Sequence, residues 1–582
     1  MKKLILIIFS ITFLFSSNAQ NPSFQWAKSI GGIGSKCGTS MAIDASGNVY
    51  TSGYFSGTSD FDPGTGTYTL TSAGGYDIFI SKLDASGNFL WAVSMGGTGN
   101  DVCYSIALDA NGNSYTSGFY CGTVDFDPHA GIFNLISAGN QDVFVCRINA
   151  SGNFVWAKSM GGAYNDYSRA ITLDVSGNVY STGSYSGTAD FDPGAGTFNL
   201  LSAGGQDMFI SKLDPSGNFV WAKSMGGPNS DYPRSIVIDR YNNLFISGSF
   251  AGTCDFDPGP AINTLSSIGG SADIFVSKLN TSGNFLWAKS MGSTGTEYGN
   301  SLALDASGNI YTAGFFDGTV DFDPGPGTCS LISEGGYDIY ISKLDDAGNF
   351  VWAKSMGGPN TDYCNNIALD AVGNVYTTGY FFGTSFFDPG THTLTLSSSG
   401  SADIFISKLD ALGNFVWAKK MGGTTSDYGC SIALDLSGNI YTTGSFQGIS
   451  DFDPDISTFN LTALGSEDAF VHKMSQLPTL IETASPNIYL LNIYPNPVNK
   501  TINIEFNEEN VSQIPLKNSG YFIKITNTSG QLIKEEEITF NNKTAYVKAD
   551  ELPNGTYLIQ LKAILSNGNK VQSVSKKIII SK

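Results

Sequence analysis

At 582 residues the chain is too long for a single hydrophobic core, so two or more domains are expected. Its formal net charge is -20, with 41% apolar residues, 13% aromatic residues and 69 glycines, a globular composition broken by many turns. The acidity lies in the body, because residues 491–582 hold 11 Lys against 8 Asp and Glu; such a body excludes nucleic acid and anionic lipid surfaces as expected partners and suits cations.

The chain starts with Met1-Lys2-Lys3, an apolar run over Leu4 to Phe15, and Ser17-Asn18-Ala19. A basic start, a short apolar run and a small-x-small cleavage site predict a secretory signal over 1–19. The run is shorter than the ~20 residues that span a bilayer, so no transmembrane span is expected in the mature chain.

Residues 20–474 are periodic. Trp26, Trp91, Trp156, Trp221, Trp287, Trp352 and Trp417, the seven tryptophans of the chain, are 65, 65, 65, 66, 65 and 65 residues apart. A fixed period of that size indicates an array of like supersecondary units. Within 156–220 four β-like runs appear: A (168–174), B (178–185), C (207–214) and D (218–224), the last carrying the next Trp. A and B are joined by Asp174-Val-Ser-Gly-Asn178, C and D by Asp214-Pro-Ser-Gly-Asn218, tight hairpin turns that lie at one end of an up-and-down sheet. The longer B–C and D–A loops share the other end and hold the variation, which is where function is expected.

Four-stranded units of this size cannot bury their own faces, and predict an all-β, seven-bladed β-propeller of four-stranded blades. The ends agree in phase. The last unit stops at strand C, Asp468–Lys473, and the chain opens on an orphan Trp strand, Phe24–Ser29. Together they complete one blade by N-terminal strand closure; a stacked β-solenoid, the alternative, needs no such seam. The tryptophans read as inter-blade packing rather than as sugar-stacking platforms.

The run Gly-Gly-x-x-x-Asp-Tyr-x-x-Ser-Ile-Ala-Leu-Asp-x-Ser-Gly-Asn-Val-Tyr-Thr-Thr-Gly, clearest at 422–444 and 161–183, resembles the seven-bladed β-propeller repeats of bacterial secreted proteins. That resemblance implies a propeller outside the cell or on its surface, without a common activity. The first unit departs from it, since Gly32-Ile-Gly-Ser-Lys-Cys37 lacks the Asp-Tyr pair.

The period ends near 475. Residues 475–490 read as a linker. Residues 491–582, with alternation at 521–526, 544–547 and 557–561, read as a small Ig-like β-sandwich. The Tyr494-Pro-Asn-Pro opening, Leu552-Pro-Asn-Gly-Thr-Tyr557 and the Lys-rich end at 576–582 resemble the C-terminal sorting domain of the Bacteroidetes type IX secretion system. The resemblance implies passage through the periplasm and across the outer membrane by that machinery. It also implies removal of the domain and a secreted or cell-surface location.

Several constellations invite a chemical reading. Asp-Phe-Asp-Pro recurs in the B–C loops as Asp60/Asp62, Asp125/Asp127, Asp190/Asp192, Asp255/Asp257, Asp321/Asp323 and Asp451/Asp453, with Phe386 and Asp388 in the sixth unit. Carboxylates two apart beside free carbonyls suit calcium, while Asp-Pro-Gly is also an ordinary turn whose Phe plugs the blade end. A second set, Asp101, Asp166, Asp231, Glu297, Asp362 and Asp427, lies in the D–A loops. It reads either as loop caps or as a cation or ligand site around the channel mouth. The eight cysteines share no repeat position and form no Cys-x-x-Cys pair. Cys37 with Cys430, neighbours only if the ring closes, and Cys254 with Cys329 are candidate disulfides.

Catalytic signals are poor: the three histidines, His129, His392 and His472, do not recur between units, and no metal-protease or P-loop motif occurs. The expected function is a monomeric binding or adhesion scaffold for an extracellular glycan or protein. A carboxylate-based polysaccharide hydrolase or lyase is the alternative.

Overall fold

Local chemistry decides the strands. Val49–Phe55 presents β-branched and aromatic side chains to both faces of an extended segment, and six of its seven residues are buried. The turn before it is closed by its own side chains. Asp44 Oδ1 accepts the N–H groups of Ser46 and Asn48, each at 2.9 Å, and Asn48 Nδ2 donates back to Asp44 Oδ2 at 2.7 Å. Gly47 takes φ 80° in that turn, where a Cβ is disfavoured. In the fourth repeat Asn242 holds the same place at φ 63°.

The computed structural model describes residues 22–390, 393–476, 491–494, 501–506, 520–527, 532–538, 544–549, 551–564 and 571–580. The signal at 1–19, most of the linker at 475–490, His392 and the Pro-Asn-Pro after Tyr494 lie outside them. Among the described residues the fold is all-β, in a propeller arrangement without helices. The chain divides into two compact units, residues 1–479 and 480–582.

In the first unit, strands β1 (Ser23–Gly32), β2 (Lys36–Ile43), β3 (Val49–Phe55), β4 (Thr58–Asp60), β5 (Thr69–Thr71), β6 (Asp77–Leu83) and β7 (Phe89–Gly97) show the plan. β2, β3, β6 and β7 pair antiparallel in that order, as A, B, C and D. The order recurs through 102–162, 167–225, 232–291, 298–356 and 362–423. The last repeat supplies Tyr428–Leu434, Ile440–Phe446 and Asp468–Ser475, and its fourth strand is β1, with Ala27 opposite His472 and Ser29 opposite Phe470.

The sheets are less separate than the sequence predicts. The Gly-Gly end of each Trp strand pairs with the Asp-Phe-Asp segment of the next repeat: Gly31 with Asp60, Gly96 with Asp125, Gly161 with Asp190 and Gly422 with Asp451. These ladders fuse neighbours into one twelve-stranded and two six-stranded sheets; the repeats at 232–291 and 298–356 keep separate four-stranded sheets, joined at the same place by single bridges, Gly226 to Asp255, Gly292 to Asp321 and Gly357 to Phe386. The expected four-stranded sheets are thus joined to one another at their loop ends. The B–C insertion is a clasp between repeats as well as a turn.

The tryptophans bridge repeats too. Trp91 lies edge-on to Tyr50 at 5.9 Å between ring centroids, and its Nε1 donates to Ala150 O in the next C–D turn at 3.1 Å. Trp156 does the same to Tyr115 and Pro215 O. At the seam Trp26 meets Tyr441, 6.2 Å between centroids. Only Trp156 and Trp417 are fully buried. For those, covering ~200 Å² at ~25 cal/mol/Å² gives about 5 kcal/mol as an upper bound.

The second unit forms two antiparallel sheets. Leu491–Tyr494, Thr501–Phe506 and Thr544–Lys548 make one; Leu532–Ile538, Gly520–Asn527, Gly555–Ile564 and Val571–Ile580 make the other. Ile502, Ile504, Ile523, Ile525, Val547 and Ile559 are buried.

Because β1 completes the last sheet, deleting 22–32 strips a partner from Asp468–Ser475 and exposes a strand edge. The expected outcome is a lower melting temperature and concentration-dependent aggregation in light scattering. An unchanged melting temperature refutes closure by β1.

Candidate functional site

The repeat leaves two free positions after its Asp-Tyr pair. The second of these is Thr39, Tyr104, Arg169, Arg234, Asn300, Asn365 and Cys430 in successive repeats, 65 or 66 residues apart. All seven line one cavity of about 630 Å³. Strand A places them there, at the end where the B–C and D–A loops gather, opposite the Asp-x-Ser-Gly-Asn turns.

Three of these side chains are structural ties. Thr39 Oγ1 donates to Cys103 O at 2.7 Å, Asn300 Nδ2 to Cys364 O at 2.9 Å and Asn365 Nδ2 to Gly429 O at 2.8 Å, each reaching the next repeat. The arginines are different. The Arg169 guanidinium lies 4.2 Å from the Tyr104 ring centroid. Arg234 keeps its buried Nε without a hydrogen-bond partner, and burial pushes its pKa down. Neither forms an ion pair among the described residues.

The far wall is an arc of rings. Tyr298 and Phe315 have centroids 4.9 Å apart, Phe315 and Tyr363 4.7 Å, and Tyr363 and Tyr380 4.8 Å. Two guanidiniums facing an aromatic arc can hold an anionic group by charge-assisted hydrogen bonds and a flat or sugar ring by stacking. Sequence reading missed this set. The signal was one repeat position that varies widely while its neighbours do not.

The acidic sets sit elsewhere. Asp101, Asp166, Asp231, Glu297, Asp362 and Asp427 do not ring the channel mouth: each is fully buried. They cap the D–A loops, as where Asp101 Oδ2 accepts Gly97 N–H at 2.8 Å and Oδ1 accepts Cys121 N–H at 2.9 Å.

The Asp-Phe-Asp-Pro carboxylates do not converge on a shared point. Asp60 Oδ1 accepts the N–H groups of Asp62 and Tyr68. Asp125, Asp190, Asp255, Asp321 and Asp451 repeat that pattern. The second carboxylate of each pair turns onto its own loop two residues further on. Asp62, Asp192, Asp257 and Asp323 each accept a glycine N–H through Oδ1 at 2.8 Å, from Gly64, Gly194, Gly259 and Gly325. Asp127 Oδ1 accepts His129 N–H at 3.1 Å, and Asp453 Oδ1 accepts Asp455 N–H at 3.0 Å. The intervening Phe61, Phe126, Phe191, Phe256, Phe322 and Phe452 are fully buried plugs. This hydrogen bonding favours the turn reading over calcium between Asp60 and Asp62, Asp125 and Asp127, Asp190 and Asp192, Asp255 and Asp257, Asp321 and Asp323, or Asp451 and Asp453. Each carboxylate caps a turn with the oxygen an ion would need, and no cluster of three or more His, Cys, Asp or Glu suited to a metal occurs among the described residues.

All eight cysteines are free thiols. The seam does bring Cys37 and Cys430 together, with their sulfurs 3.7 Å apart and unbonded. Cys254 and Cys329 belong to different hydrophobic clusters and do not pair. His472 is buried beside Thr442, and burial lowers its pKa to about 3, so it stays neutral. His129 Nε2 lies 3.0 Å from Gly152 O.

Beside each D–A carboxyl lies a second buried one, the Asp that begins strand C. Burial, and only secondarily the neighbouring carboxyl, pushes Asp142 up to about 7; burial pushes Asp166 up to about 6. Asp338 and Asp362 both rise to about 7 for the same first reason. A methyl on Gly96 would lie within 2.5 Å of both Asp77 carboxylate oxygens, so the first Gly of Gly-Gly makes room for this side chain.

Comparison with known proteins adds three findings. Residues 492–581 match the secretion system C-terminal sorting domain. Residues 351–380 and 416–448 match the beta-propeller repeat. Among curated proteins, an uncharacterized WD repeat-containing protein of Acanthamoeba polyphaga mimivirus is 24% identical over 497 residues, covering 72% of this chain and 36% of that protein. The regulatory protein FlaEY of Caulobacter vibrioides is 25% identical over 171 residues, 28% of this chain and 17% of its own length. The chain thus spans about a third or less of these relatives. Among solved structures, Sqt1 from Chaetomium thermophilum aligns with 10% identity and a TM-score of 0.35, over 73% of this chain and 97% of that one. The chain carries β-propeller repeats and a type IX secretion sorting domain, which directs it out of the cell or to its surface. No helix among the described residues is long and apolar enough to cross a membrane.

Carboxyls whose folded pKa is raised stabilise the fold fully below their unfolded value near 3.8, and that contribution is lost as pH rises through 6 to 7. In chelator-treated buffer the melting temperature is therefore expected to fall from pH 5 to pH 8. A flat profile in differential scanning calorimetry contradicts it.

Proposed function

We propose that this exported chain is a binding propeller that holds an acidic glycan at the mouth of its central channel. Seven repeats, with β1 supplying the last one's fourth strand, support a closed ring of seven blades acting as a monomer. The observation that carries the reading is the single variable strand-A position, whose seven residues line one cavity and include two arginines without an ion pair.

The electrostatics narrow the ligand. A chain of net charge -20, its acidity in the propeller, repels polyanions at a distance. The arginines act at short range, inside the ~8 Å screening length of physiological salt. This favours the end of an oligosaccharide bearing a carboxylate or sulfate, its charge on Arg169 and Arg234 and its ring against the tyrosine arc. No carboxylate or histidine is among the residues that line the cavity, which supports binding over hydrolysis or elimination.

The sorting unit serves as a removable address. Its Lys excess, its lack of Trp and its separation as a compact unit from residue 480 support an Ig-like sandwich that is cut away after export.

Arg169→Ala and Arg234→Ala are each expected to weaken binding to carboxylated or sulfated oligosaccharides on a glycan array by about tenfold or more, the worth of one lost charged hydrogen bond. Neutral glycans change little, and product analysis finds no cleavage. Cleavage products would replace this reading with that of a polysaccharide-active enzyme. Loss of no affinity in either variant would move the site elsewhere.

Truncation at residue 490 is expected to leave the propeller folded but trapped in the periplasm, and mass spectrometry of exported protein should place its C-terminus between about 475 and 495. Normal export of the truncated chain, or intact Lys582 on released protein, contradicts the address reading.

A further inference from the structure

The buried carboxyl pairs are alike in six repeats and different in one. In all seven, the strand-C Asp is held by one oxygen: Oδ2 accepts a B–C loop N–H, at 2.9 Å from Ala73 to Asp77, 2.8 Å from Ala138 to Asp142 and 2.7 Å from Leu464 to Asp468. The other oxygen tells them apart. Asp468 Oδ1 receives Lys36 Nζ at 2.9 Å, with both side chains fully buried. In Asp77, Asp142, Asp207, Asp273, Asp338 and Asp403 the same Oδ1 is buried without any hydrogen-bond partner.

Lys36 stands at the repeat position that is Asp101, Asp166 or Asp427 elsewhere. Its ammonium is coordinated like an ion: besides Asp468 it meets the carbonyls of Gly32 and Gly34, the latter at 3.2 Å. One of these carbonyls has a counterpart in the repeat that begins at Tyr167, while the place of Gly34 O is taken there by Ala163 O. The Gly162 carbonyl lies 2.5 Å from where a methyl on Gly139 would sit, as the Gly32 carbonyl does from Gly465. A methyl on Gly422 would meet Asp403 Oδ1 at 2.8 Å and Asp427 Oδ2 at 3.0 Å, so both carboxylates face one point.

We propose that each of these six carboxyl pairs binds a calcium ion at the place the Lys36 ammonium fills at the seam. The charges match. At the seam one carboxylate meets one ammonium; elsewhere two carboxylates meet a divalent cation. Calcium is a hard ion that takes carboxylate and main-chain oxygens at about 2.3–2.6 Å in adjustable geometry, and each site supplies two carboxylates with carbonyls and solvent completing the shell. The site in the Asp403 repeat is weakest, because Lys420 Nζ reaches Asp403 Oδ2 at 3.3 Å. Without the ion the pair retains protons, so binding releases them. The cations sit behind each Gly-Gly, next to the ladder that joins neighbouring repeats.

The test uses the full chain, stripped with chelator and titrated with calcium chloride by isothermal calorimetry and equilibrium dialysis at pH 6.5, with magnesium as a comparison. The expected result is several equivalents of calcium per chain, approaching six, with proton release, a melting temperature raised by several degrees and a flattened pH profile. Asp142→Asn removes one equivalent, Asp62→Asn removes none, and Lys36→Asp adds one. If Lys36→Asp fails to fold, Asp338→Asn must remove one equivalent in its place. Less than one equivalent bound at millimolar calcium overturns the proposal. So does a stoichiometry that Asp142→Asn leaves unchanged.

Discussion

The contact between each tryptophan and the next repeat is what the rest of the propeller depends on. A single four-stranded repeat leaves both faces of its sheet open, and its stability comes from covering them with neighbours. Trp91 reaches Tyr50 in its own repeat and the Ala150 carbonyl in the next C–D turn. The indole thereby fixes the spacing of two sheets and the height of one turn together. At the seam the same indole arrives from the other end of the chain, since Trp26 belongs to β1 and meets Tyr441 of the last repeat. Closure reuses the ring contact but not the hydrogen bond, since Trp26 Nε1 is buried without a partner, and it adds the buried Lys36–Asp468 pair.

A second linkage runs along the loop end. The Gly-Gly of one Trp strand pairs with the Asp-Phe-Asp of the next repeat, and the buried Phe61 anchors that clasp against Phe55, 5.3 Å between centroids. Behind the same Gly-Gly lie the two buried carboxyls. Their positions explain why the first residue of the clasp is glycine: any side chain there strikes the strand-C carboxylate. Polar burial on this scale destabilises a fold unless its charge is compensated. Lys36 compensates it at the seam, and protons or bound cations do so elsewhere.

Scaffold and specificity are thus divided by position within the repeat. Residues that touch the neighbouring repeat are nearly uniform, because each must meet the same partner seven times. The strand-A position that lines the cavity varies more, from Thr39 through Arg169 and Arg234 to Cys430, although Thr39, Asn300 and Asn365 also tie to the next repeat.

Much of this was legible in the sequence because the signals are local or periodic. The 65-residue spacing of tryptophan, the Asp-x-Ser-Gly-Asn turns, the all-β character and the orphan Trp strand at the start each follow from neighbours in the chain, and the sorting domain from short motifs near its end. Three things were decided only by tertiary structure. The Asp-Phe-Asp-Pro carboxylates look like ligands in sequence, but folding turns their oxygens onto N–H groups of their own loop. The D–A carboxyls look exposed beside the channel, but the clasp buries them. Arg169 and Arg234 stand two residues after the repeat's Tyr, as Asn300 and Asn365 stand after Tyr298 and Tyr363, but that residues from separate repeats share one cavity is visible only in the fold. Periodicity determines which residues are equivalent, because equivalence is a property of the chain. Which of the equivalent residues meet water, a proton or one another depends on how the sheets curve round, and that the chain settles only when it folds.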